Sequence, residues 1–132
     1  MKISKREDFA IIFMSHLAKH KSKEFVSLAK VSISTGLSPL FLKHIALELK
    51  NKGLIKSREG VAGGYRLAKK PRDISATEIL TAVTRDMVKP ACYDGKCRLS
   101  ENDCICLSFW GNFNNRMISL LNKVSLAEIA KI

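Results

Sequence analysis

Cys92, Cys97, Cys104 and Cys106 are all the cysteines of this 132-residue chain, and they fall within fifteen residues. The stretch between them is mostly polar and holds Gly95. Thiols packed this closely are soft donors, suited to a metal ion or an iron–sulfur cluster. Structural zinc usually pairs its cysteines as Cys-x-x-Cys, whereas here the gaps are four, six and one residues. That spacing favours a cluster over zinc, with a metal-free thiol switch as the third option. Colour separates the first two: a cluster protein absorbs visible light, whereas a zinc protein is colourless.

The rest of the chain must position this loop, and its charge says where to look. Residues 1–72 hold sixteen Lys and Arg against five Asp and Glu, while residues 73–132 hold seven of each, so the whole net charge of +11 lies in the first half. Such an asymmetry points to a polyanionic partner, most often nucleic acid. The first residues carry no long apolar run, so a secretory leader is not expected, and no apolar run is long enough for a membrane span. Cytoplasmic, reduced thiols are therefore expected rather than a disulfide framework. No Cys–His or Ser–His–Asp arrangement has sequence context, and all three histidines lie in the basic half, so an enzyme is not expected.

Ser4-Lys5-Arg6-Glu7 is a capping box, and the helix it opens carries Phe9, Ile12, Phe13, His16 and Leu17 on one face to about His20. Asp8 sits in its first turn, where the helix dipole favours a carboxylate. Ser27 opens a short helix that Gly36 breaks. Ser38-Pro39 then starts a third helix, through Asn51, with Ser38, Lys43, His44 and Lys50 exposed. Two helices joined by a tight glycine turn form a helix-turn-helix, whose second helix is the usual major-groove reader.

Leu54–Arg58 and Tyr65–Ala68 read as strands around the glycine-rich turn 59–64. A basic hairpin directly after a reading helix is a wing. Lys56, Arg58 and Arg66 would hold phosphates or the minor groove, while Gly63, Gly64 and Tyr65 would bring the backbone close to DNA. A nucleotide-binding loop fails on context, since no Gly-Lys-Ser/Thr follows. Ser75 and Ser125 begin two more capping boxes. Between them Leu107, Trp110, Phe113, Met117, Leu120, Leu121 and Val124 recur at steps of three or four. This reads as one long amphipathic helix with a partner subunit as its cover.

In this order of elements, the wing Gly60-Val61-Ala62-Gly63-Gly64-Tyr65, the cysteines Cys92, Cys97 and Cys104, and Trp110 six residues after Cys104, the chain resembles the winged-helix regulators of the IscR and NsrR type, which bind iron–sulfur clusters. The resemblance covers essentially the whole chain. It implies a homodimer on a palindromic operator, the long helix as dimer spine, and a 2Fe–2S or 4Fe–4S cluster held by the three cysteines. This chain departs from the pattern in two places. Glu59 stands where relatives commonly carry the wing arginine. The IscR-like even cysteine spacing is lost, Leu107 stands where the histidine ligand would be, and Cys106 is additional. The fourth ligand is then Cys106 or, as the NsrR-like relatives imply, Asp8 of the partner subunit.

The expected fold is mainly α with a small β-hairpin, α+β in class. A winged helix-turn-helix fills residues 1–72. Residues 73–132 hold a capped helix, the cysteine loop 92–106 and the dimerisation helix of Trp110, Phe113, Met117, Leu120, Leu121 and Val124. The expected function is a DNA-binding transcriptional regulator modulated by a cluster that senses iron–sulfur status, redox or nitric oxide. The alternative is a metal-free, thiol- or partner-responsive regulator of the CymR kind.

Overall fold

The fold was obtained as a computed structural model, and it describes residues 3–21, 23–84 and 104–132. Cys92 and Cys97 lie outside the described residues.

Helix α1 (Lys5–Ala18) starts at the first capping box, with the Ser4 N–H donating to Glu7 Oε2 at 3.0 Å. It stops at Ala18, short of His20, because Lys19 and His20 bond back only three residues, to the carbonyls of His16 and Leu17 at 3.3 and 3.2 Å. A tightened last turn of this kind is how helices commonly fray. The inward stripe also differs from expectation. Ala10, Phe13, Met14, Leu17 and Ala18 are buried, while Ile12 is 40% exposed. The stripe is rotated by one residue, which puts Met14 inside and leaves His16 half-buried at the edge, its Nε2 3.3 Å from His20 Nε2.

Helix α2 (Leu28–Thr35) is capped by Ser27, whose hydroxyl accepts the Lys30 N–H at 3.1 Å. Gly36, in the left-handed conformation at φ 75°, ends it and turns the chain into α3 (Pro39–Asn51). Helix α3 buries Leu42, Ile45, Ala46 and Leu49. Arg6 pairs with Glu48 and donates to the Val83 carbonyl at 3.4 Å. One guanidinium thus links α1, α3 and the helix that follows the wing.

Strands β1 (Ile55–Arg58) and β2 (Gly64–Leu67) pair antiparallel, with Ile55 opposite Leu67 and Arg58 opposite Gly64. Val26 adds a single rung to β2, exchanging two 2.8 Å hydrogen bonds with Tyr65. This approach is why residue 64 is glycine: its φ is 145°, and a Cβ there would lie 2.2 Å from the Val26 carbonyl oxygen. A Cβ on Gly63 would lie 2.2 Å from the Arg58 carbonyl oxygen.

Helices α4 (Ala76–Val83) and α6 (Leu126–Ala130) both begin with the expected capping boxes, at Ser75 and Ser125. Their starts are stitched together: the Ala76 N–H donates to the Val124 carbonyl and the Leu126 N–H to the Ile74 carbonyl, both at 2.8 Å. Phe13, Met14, Leu42 and Ile45 share one hydrophobic cluster with Ile74, Ile79, Val83 and Leu126. A single core therefore crosses residue 72, where the charge asymmetry changes.

Helix α5 (Ile105–Leu121) buries none of its residues. Thr77 Oγ1 of α4 donates to its Ile118 carbonyl at 3.2 Å. Phe109, Trp110 and Phe113 contact one another with ring centroids 4.9 to 6.5 Å apart. Ile105, Phe109 and Leu120 are 84%, 56% and 59% exposed. Val124 lies beyond the end of the helix, its carbonyl in the stitch to α4.

Candidate nucleic-acid interface and cysteine site

Alternation along the hairpin decides which side chains the wing presents. Lys56 opposite Arg66 and Arg58 opposite Gly64 share one face. Ser57 opposite Tyr65 takes the other, where the Tyr65 ring meets Phe13 edge-on at 5.9 Å. The three expected wing cations are thus brought to one surface. Tyr65 and the two wing glycines have intrachain partners: the ring packs into the core, and the glycines admit the backbones of Val26 and Arg58.

The reading helix meets its expectation in solvent access. Ser38, Lys43, His44 and Lys50 are all exposed on or beside α3. Leu40 and Leu47 of the same helix are 68% and 57% exposed. They flank Lys43 and His44, so the outward face of α3 alternates apolar and polar groups. Thymine methyls and base-edge acceptors are the natural complements of such a face in a major groove.

One residue of this surface was missed in the sequence reading. The Phe25 ring lies under both wing arginines, with the Arg58 and Arg66 guanidinium carbons 4.6 and 5.0 Å from its centroid. Arg58 also donates to the Ala62 carbonyl at 3.0 Å. Guanidinium stacked on an aromatic face gains cation–π attraction and loses rotamer freedom. The only available sequence signal was an aromatic residue standing alone in a basic segment, just before the Ser27 cap.

Of the four cysteines, Cys104 and Cys106 are described. Cys104 is the N-cap of α5 and is buried; its sulfur accepts the Leu107 N–H at 3.4 Å. Cys106 is one turn position into the helix and exposed. Because α5 has already begun, the two side chains diverge. Asp8 is exposed in the first turn of α1. Among the described residues no three His, Cys, Asp or Glu side chains gather as a metal site. Thiols such as Cys104 are soft donors of the kind that suit a metal ion or cluster.

Known proteins share this architecture. The chain is 29% identical over 131 residues to the HTH-type transcriptional regulator IscR of Vibrio atlanticus, covering 99% of this chain and 76% of that one. The solved structure of T. potens IscR superposes with a TM-score of 0.78 at 27% identity, covering 99% of this chain and 87% of that one. CymR, the global cysteine regulator of B. subtilis, superposes at 0.77 with 24% identity, covering 99% and 97%; this second likeness speaks to fold. The winged-helix architecture, the DNA-binding role and the absence of an enzymatic function follow from these relatives. With the family described as "Iron-dependent Transcriptional regulator" matching residues 3–132, the chain belongs to the Rrf2 family of transcriptional regulators.

Proposed function

We propose that this regulator binds its operator as a homodimer, in the cytoplasm, under the control of an iron–sulfur cluster held by Cys92, Cys97 and Cys104. The observation that carries the reading is Cys104, a buried thiol seated on the N-terminus of α5 with a backbone N–H aimed at its sulfur. The family's description as iron-dependent and the resemblance to IscR and NsrR regulators support it. When bound, the cluster would supply a redox- and nitric-oxide-sensitive clamp, held by Cys92, Cys97 and Cys104 in the sequence between α4 and α5. The divergence of Cys104 and Cys106 favours Asp8 of the partner subunit over Cys106 as the fourth ligand.

In this reading, α3 enters the major groove of each half of a palindromic operator, with Ser38, Lys43, His44 and Lys50 at base edges or phosphates. Lys56, Arg58 and Arg66 hold the flanking backbone, with Gly63, Gly64 and Tyr65 shaping the wing that carries them. Two poses of the reading heads, favoured unequally by clamped and unclamped loop, satisfy the requirement for an allosteric switch. Anaerobic purification should give a coloured protein with iron and acid-labile sulfide in cluster stoichiometry. Removing the iron should change operator affinity or footprint by at least about fivefold, the lower range of known coupling. Colourless protein with equimolar zinc would sink the cluster, and identical binding by both forms would sink the switch.

A second reading has its own observation. Cys106 is exposed on α5 and free for oxidation, which suits a metal-free thiol regulator of the CymR kind. Regulation that survives serine replacement of Cys92, Cys97 and Cys104 together, and is lost in Cys106→Ser, would favour it.

A further inference from the structure

A cavity of about 270 Å³ lies between the last turn of α1, the segment after it, and the base of the wing. Its floor includes the apolar groups of Leu17, Ala18, Leu67 and Pro71. Six cations line it, Lys21, Lys23, Lys56, Arg66, Lys69 and Lys70, against the single carboxylate of Glu24. Lys69 is held by Glu78 at 2.8 Å. The other five form no ion pair among the described residues. Like charges around one hollow repel, and an anion seated in the cavity relieves that cost.

The shape selects among anions. A DNA backbone runs over a protein as a ridge and is met by protruding side chains. Here the cations ring a recess with an apolar floor. The recess lies at the Lys56–Arg66 and Ile55–Leu67 end of the hairpin, opposite the turn 59–63. A volume just under the usual range for small-molecule sites, with convergent charged groups over an apolar base, suits a compact ligand with a carbon body.

We propose that this cavity binds a small metabolite bearing two or more negative charges as phosphate or carboxylate groups, and that the bound ligand ties the wing to the end of α1. The site shares Lys56 and Arg66 with the wing surface, so occupancy changes how these two residues are available to DNA.

Pyrophosphate serves as the probe, titrated into the isotope-labelled full chain without DNA at 150 mM salt. The expected result is saturable amide shifts in residues 17–24 and 67–71. A Lys21→Ala/Lys70→Ala double variant should bind the probe at least about tenfold more weakly, since each cation adds to a site where charge supplies most of the affinity. Its operator affinity without the probe should stay within about threefold of wild type. Two results would overturn the proposal. One is no saturable shift, or shifts confined to α3 and the wing turn. The other is a double variant that loses operator affinity more than about tenfold, with the log–log salt slope reduced by about two, which would assign the cavity to the DNA backbone.

Discussion

Phe25 controls two cations through one ring. Each exposed cation–π contact is worth about 0.5–1 kcal/mol, and both arginines stack on the same face-bearing residue. Phe25→Ala should therefore weaken operator binding by roughly five- to thirtyfold while the fold persists, and Phe25→Tyr should restore it. Fluorescence anisotropy with a labelled operator reads both; unchanged affinity in the alanine variant would remove the positioning role. His16 makes a different statement. Burial, then the neighbouring His20, Lys19 and Lys30, hold its imidazole below the usual value of 6.5. The unfolded chain accordingly takes up this proton first as pH falls. Stability from neutral His16 is complete above the unfolded value and is lost as pH drops through it towards the folded one. The thermal midpoint of the wild type should fall more steeply between pH 7 and pH 5 than that of His16→Gln. Parallel curves would show that His16 contributes nothing to acid sensitivity. Neither residue's partner was legible in the sequence, because Phe25 and Arg66 meet only through hairpin register, and His16 sits at an edge set by the rotation of α1.

At the level of elements, local chemistry was the more readable part. The capping boxes at Ser4, Ser75 and Ser125 each begin a helix, and Gly36 and Pro39 frame the turn of the helix-turn-helix. These signals act within four residues, so one sequence carries them whole. The stripe of α1 was less readable, since both the 9-12-13 and the 10-13-14 rows are apolar, and only packing against α3, α4 and α6 chooses between them. The wing glycines show the same limit. Their need is plain in sequence, while the cause at Gly64, the Val26 rung beside β2, is a tertiary contact. Gly64→Ala should cost more than Gly36→Ala in urea unfolding. Gly36 has positive φ and open space around it, so its substitution meets strain alone, about 1–2 kcal/mol. Gly64 adds a Cβ 2.2 Å from the Val26 carbonyl. Equal costs for the two variants would mean the Val26 rung yields without penalty.

For the whole molecule, the decisive feature is a 17-residue helix with none of its residues buried. Its Ile105, Phe109 and Leu120 are exposed apolar surface of the kind that marks an interaction site. Leu120→Glu should leave the subunit folded, since the side chain is 59% exposed. In the proposed dimer it should also give a monomer in sedimentation and lower operator affinity more than about tenfold, because two half-sites would no longer be held together. A variant that remains dimeric would overturn α5 as the proposed dimer spine. The sequence by itself determined the basic half, the helix starts, the reading helix, the wing and the crowding of four thiols, because each is a matter of composition or short-range spacing. The tertiary structure decided which cations share a face, why residue 64 must be glycine, and where the two described thiols of the cysteine stretch end up. Cys104 is buried on a helix N-terminus and Cys106 is exposed, because α5 begins between them. Two residues of separation on a helix turn side chains away from each other, and no count of cysteines contains that rotation.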